Sequence, residues 1–137
     1  MALIARIAHD TDPRDAIFKE LGDLSGFQIA AQGVLVATYT REGDAKIAGT
    51  SLLMPEAAVK DDHFQSKTGL VVRLGHRAFK EDQHVQWHGF SCGIGDWVVF
   101  RASDGLKMQV PGMGGVHCRL IADVHLKMKI PNPDAVF

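Results

Sequence analysis

The chain has 137 residues, with Lys+Arg 15 against Asp+Glu 16 and a formal charge of −1. That balance gives no electrostatic basis for holding nucleic acid or an anionic membrane, and 46% apolar with 23% charged residues is the composition of a folded globular chain. One domain is expected at this length, and area scaling buries about two-thirds of the unfolded surface, enough for a core without metal or disulfide staples.

No apolar run approaches the roughly 20 residues of a membrane span. The opening Met1-Ala2-Leu3-Ile4-Ala5-Arg6-Ile7 is too short and too interrupted for a signal-peptide core. The expectation is a soluble, intracellular protein whose Cys92 and Cys118 stay reduced. Cys118 sits in the alternating stretch Val116-His117-Cys118-Arg119-Leu120-Ile121 and reads as a small core residue.

The first element is a helix. Asp12 can accept from the free N–H groups of a first turn and Pro13 fits inside that turn. Ile17, Leu21 and Leu24, with Phe18 beside them, recur at helical spacing until Gly22 and Gly26 end it. Two or three turns are too few to be stable alone. The helix must therefore dock on its own domain or on a neighbour.

From Gln32 the period changes to that of a strand. Gly33 to Thr40 is rich in β-branched residues and predicts a core strand, followed by the polar turn Arg41-Glu42-Gly43-Asp44. Residues 45–67 have no sustained period and carry one apolar knot, Leu52-Leu53-Met54 before Pro55. A loop of that length in a compact domain points to function. Strands are predicted over Thr68–Gly75, Gly95–Arg101 through a Gly-Asp turn, Leu106–Val110, Val116–Ala122 and Val124–Ile130, the last two meeting at Asp123. The tail from Pro131 to Phe137 cannot continue a central strand. Short strands with Gly/Pro turns make the fold class mainly β, a small barrel or sandwich.

Catalytic signals are weak. His84 and His88 are four apart, a metal-binding spacing on a helix, but their surroundings read as loop and no third ligand is placed by spacing. Gly93-Ile94-Gly95 and Gly112-Met113-Gly114-Gly115 lack the following helix that a phosphate cradle needs. No paired carboxylates can be argued into a pocket. The expectation is a protein that is not an enzyme, with no cofactor and no metal. Trp97 reads as core beside the Gly-Asp turn, while Trp87 and Phe90 pack the loop or a subunit contact.

The order of these pieces resembles the chaperonin-10 (GroES) family over about residues 32–130. The residues that carry the resemblance are Val34-Leu35-Val36, Leu52-Leu53-Met54-Pro55, Gly69-Leu70-Val71-Val72-Arg73-Leu74-Gly75, Ile94-Gly95-Asp96-Trp97-Val98-Val99-Phe100 and Leu120-Ile121-Ala122-Asp123-Val124. A closer likeness is to the branch carried by tailed bacteriophages, through Leu74 to Asp82 and Gly22-Asp23-Leu24-Ser25-Gly26. The resemblance implies a GroES-like small β-barrel at 32–130 with a long loop at 45–67. An N-terminal extension with a short amphipathic helix (1–31) and a C-terminal tail (131–137) lie outside it.

In that family an apolar loop triplet docks on the rim of the large chaperonin ring, and several copies turn weak contacts into avidity. Leu52, Leu53 and Met54 match that triplet. The family usually has a Gly pair just upstream, whereas this chain has Thr50-Ser51 after a single Gly49, which stiffens the approach. Two functions fit. In the first, the chain is a virion head-associated structural protein, a capsid decoration or cement protein. It would bind the major capsid protein, or itself in a homo-oligomer, through the loop and through Ile17, Phe18, Leu21 and Phe137 of the helix and tail. In the second, it is a co-chaperonin that caps a host GroEL-type chaperonin so that the major capsid protein folds. The missing Gly pair and the terminal apolar anchors tilt the sequence toward the first. Its expected location is the virion and the host cytoplasm.

Overall fold

The computed structural model describes residues 12–39 and 67–135. Among them the chain is mainly β, with one antiparallel six-stranded sheet and a single α-helix, α1 (Pro13–Leu21). The strands are β1 (Gly33–Thr38), β2 (Thr68–Leu74), β3 (Trp97–Val99), β4 (Leu106–Val110), β5 (Val116–Ala122) and β6 (Met128–Ile130), in the spatial order β4-β5-β1-β2-β3-β6. β1 is central because its Val-Leu-Val-Ala run has no polar face to give to water, and Val34 to Thr38 are all buried. It pairs on one side with β2 (Ala37↔Leu70) and on the other with β5 (Ala37↔Cys118).

The two faces of the sheet feed two cores. Leu35, Ala37, Leu70, Val72, Trp97 and Val99 point into the first. Val34, Val36, Val71, Val98 and Phe100 point into the second, as the alternation of a pleated strand requires. Val110 of β4 and Ile130 of β6 both join the first core. The sheet thus wraps around that core from both ends. It is not closed, because β4 and β6 are its two terminal strands.

The helix docks on its own domain. Asp12 caps it by accepting the Arg14 N–H at 2.9 Å, and Gly22 ends it with its N–H on the Phe18 carbonyl. Leu21 and Leu24 are buried in the first core, with Ile17 and Phe18 packed against it.

Two strands depart most from the sequence expectation. Val124–Ile130 is not one strand, since Asp123–His125 forms a 3-10 turn and pairing resumes only at Met128. The cause is local: Asp123 is buried and its carbonyl takes the Leu126 N–H, which turns the backbone and drops Leu126 into the second core. The strand expected from Gly95 begins at Trp97, because Gly95 and Asp96 are spent on the turn before it.

Candidate functional site

Segment 40–66 leaves and re-enters the described fold through adjacent strand ends. Thr38 faces Gly69 in the ladder, and beyond it the Tyr39 N–H donates to the Thr68 carbonyl at 2.8 Å. On the outer side the Phe100 N–H donates to the Lys67 carbonyl at 2.9 Å, extending the β2–β3 pairing past Thr68↔Val99. Close approach at this root requires glycine. A Cβ on Gly69 would stand 2.2 Å from Val36 Cγ1 and 2.8 Å from the Ala37 carbonyl oxygen.

The Gly-Asp turn braces the opposite end of β3. The Gly95 N–H donates to the Val71 carbonyl at 2.8 Å, and the Val71 N–H returns a bond to the Asp96 carbonyl at 2.9 Å. Gly95 has φ +99°, a left-handed conformation that favours glycine. The Asp96 carboxylate accepts the Gly93 N–H at 2.8 Å and lies 3.8 Å from Lys129 Nζ, which also donates to the Ser91 carbonyl. Behind the root, Trp97 is buried and meets Tyr39 edge-on at 5.6 Å. The Tyr39 hydroxyl donates to Asp134 Oδ1 at 2.9 Å.

The sequence-predicted contact residues fall into two groups. Leu52, Leu53, Met54 and Phe137 lie outside the described residues. Ile17, Phe18 and Leu21 are engaged by the chain's own first core, with Leu21 only 3% exposed. Trp97 is core, as its pattern indicated. Trp87 stacks on Phe90 at 6.2 Å and 22°, with Phe79 edge-on at 5.0 Å to Trp87, and Phe79 and Phe90 pack against the second core. That cluster gives the long connection between β2 and β3 a small core of its own.

His84 and His88 are exposed, and no group of three His, Cys, Asp or Glu among the described residues could hold a metal. Burial pushes the Cys92 thiol up to about 11 and the Cys118 thiol up to about 12. Both are free thiols that stay protonated near neutral pH and are poor nucleophiles there.

Three polar residues do structural work that the sequence pattern did not single out. Arg119 is 1% exposed, with its guanidinium 5.1 Å from the centre of the Phe100 ring. It donates to the carbonyls of Ala102 and Asp104, so it holds the turn between β3 and β4 from inside. Burial pulls its pKa down while the Asp104 charge supports the cation. One signal was available: strand alternation puts Arg119 on the same face as Ile121, which is core. Asp123 accepts the Phe79 N–H, and Asp134 reaches Tyr39 across the chain; neither contact has a local sequence signature.

Compared with known proteins, the chain matches no family model and no curated relative.

Proposed function

We propose that the chain is a non-enzymatic co-chaperonin of the chaperonin-10 type, from its tailed-phage branch, which meets a large chaperonin ring through the apolar triplet Leu52, Leu53 and Met54. The observation that carries the reading is the root of segment 40–66. Tyr39 and Lys67 stand on adjacent, hydrogen-bonded strand ends, braced by Phe100 and buried Trp97. The two cores of the sheet are lined by described residues outside that segment. An apolar triplet in such a segment is better explained by a partner than by the chain's own interior. The motifs of the resemblance are also neighbours in space, since Val34-Leu35-Val36 pairs with residues of both the 69–75 motif and the 120–124 motif. A GroES-like small β-barrel and a seven-copy ring belong to the same reading.

The packing of α1 moves the balance away from the capsid reading that the sequence favoured. Leu21 is buried within the chain, and Ile17 and Phe18 pack against the same core and are partly covered by it, so a clamp on capsid neighbours built from all three would have to undock the helix. The test is capture on a nucleotide-loaded chaperonin ring. Wild type binds, and Leu53→Asp, which puts a charge into the apolar contact, abolishes binding without changing the unfolding midpoint. Equal binding by both proteins sinks the reading.

Thr50-Ser51 in place of the family's Gly pair favours a second reading, a head decoration protein on the capsid lattice. It requires the chain to remain on purified particles at a fixed stoichiometry through a high-salt wash. Loss into the supernatant removes it.

A further inference from the structure

The turn between β3 and β4 holds the only Asp-Gly pair in the sequence, Asp104-Gly105. The fold calls for both residues. Gly105 has φ +89°, and a Cβ there would stand 2.7 Å from Ile121 Cγ1 and 3.1 Å from the Leu120 carbonyl oxygen. Asp104 closes the turn with its N–H on the Arg101 carbonyl at 3.0 Å, and its charge supports the buried Arg119 cation. Together they make a chemically weak pair. Glycine has no side chain to shield its amide nitrogen, which lies next to the Asp104 side chain in the chain.

Three observations at this turn favour attack by that nitrogen on the side-chain carboxyl. Asp104 Oδ2 is held by the Arg101 N–H at 3.3 Å, beyond the usual range for such a bond, so its release costs little. Ser103 and Gly105 are exposed and Asp104 is half-buried, so water reaches the pair. Arg119 Nη1 donates to the Asp104 carbonyl at 3.1 Å, and that oxygen belongs to the amide whose nitrogen must react. A charged donor there draws electron density from the amide and eases loss of the Gly105 proton.

We infer that Asp104-Gly105 is a site of spontaneous modification, at which the folded chain converts Asp104 to isoaspartate. The Gly105 nitrogen bonds to Asp104 Cγ, and its proton leaves with the carboxyl hydroxyl as water, closing a succinimide ring. Water then opens the ring at either carbonyl, so the whole conversion neither gains nor loses an atom. Opening at the former main-chain carbonyl routes the chain through the side-chain carbon and adds a methylene between β3 and β4. That shifts Gly105 off its close seat on Ile121 and Leu120, and the turn loosens. None of this depends on what the chain binds.

The experiment keeps the full folded chain in warm neutral buffer for several weeks, beside a sample unfolded in urea. Trypsin cuts after Arg101 and Lys107 and releases residues 102–107, which hold no other aspartate. The inference predicts a second form of this peptide in the folded sample, equal in mass and rising with time. That form resists an endoprotease that cuts before aspartate and accepts methyl groups from a protein isoaspartate methyltransferase. Its yield exceeds that at any other aspartate, and Asp104→Glu, whose longer side chain closes a ring less readily, loses it. Protein carrying the modification unfolds at a lower urea midpoint than unmodified protein. Isomer in the urea sample alone would mean that the turn protects Asp104, and it overturns the inference. Absence from both samples, or a greater yield at another aspartate, overturns it as well. An unchanged midpoint in the modified protein overturns the loosening of the turn.

Discussion

The carboxylate of Asp123 accepts the backbone N–H of Phe79 at 2.9 Å, joining the long connection after β2 to the turn that ends β5. Asp123 is 2% exposed, and Phe79 holds φ +60°, a conformation uncommon for a bulky residue. The same aspartate donates its own N–H to the Gln32 carbonyl at 3.0 Å, so three distant segments meet on one residue. Asp123→Ala leaves the Phe79 N–H without its acceptor and should cost about 1–3 kcal/mol. Asp123→Asn keeps an acceptor oxygen and should cost less. Urea unfolding followed by Trp fluorescence measures both, and equal costs would deny the carboxylate this role.

Gly69→Ala tests the root of segment 40–66. The added Cβ would meet Val36 Cγ1 at 2.2 Å and the Ala37 carbonyl at 2.8 Å, and the second of these is backbone that cannot rotate away. Relief requires β1 and β2 to separate where the segment departs. Overpacking of this kind costs about 1–3 kcal/mol and sometimes more. The expected signature is a lower unfolding midpoint together with faster exchange at the Tyr39 amide. An unchanged midpoint would mean that the strands part without penalty.

Leu21→Ala should remove about 2–5 kcal/mol, the range for a buried leucine leaving a cavity. A nine-residue helix has little stability outside its docked position. The helical circular-dichroism signal should therefore fade before the main unfolding transition, and retention of that signal up to the main midpoint would contradict this role for Leu21.

The thiols give a pH prediction. Burial raises Cys92 to about 11 and Cys118 to about 12, from an ordinary value of 9.0. The folded state keeps the proton that the unfolded state gives up. The stability tied to each neutral thiol is thus fully present below pH 9 and is lost as pH rises toward 11 and 12. At pH 8 neither thiol should react with an aromatic disulfide reagent until denaturant is added. Above pH 9 wild type should lose stability faster than Cys118→Ala. Rapid labelling of the native protein at pH 8 would contradict the burial.

Much of the sheet was legible because its strands announce themselves locally. Val34-Leu35-Val36 is apolar on both faces, Gly95-Asp96 is a turn before a β-branched run, and Asp12-Pro13 opens a helix. The helix boundaries followed from capping chemistry that acts over a few residues. What the pattern could not carry were decisions made by partners far along the chain. Asp123 is buried with its carboxylate on the distant Phe79 N–H, and Arg119 is buried because a turn presents carbonyls inward. The destination of Ile17, Phe18 and Leu21 was open for the same reason: an amphipathic face states that it will be covered, and only the fold names the cover. At the candidate site, Leu52, Leu53 and Met54 lie outside the described residues, while the root that holds their segment could not be read from sequence at all. The Tyr39–Asp134 bond spans most of the chain.

The most direct test of the co-chaperonin reading is the mass of the purified full chain in solution, measured by light scattering behind a sizing column. A cap matched to a seven-membered chaperonin ring predicts a species of seven times 14.9 kDa. Icosahedral lattices offer two-, three- and five-fold axes and quasi-six-fold positions but no seven-fold one. A monomer, dimer, trimer or hexamer would contradict the co-chaperonin reading and return the chain to the capsid.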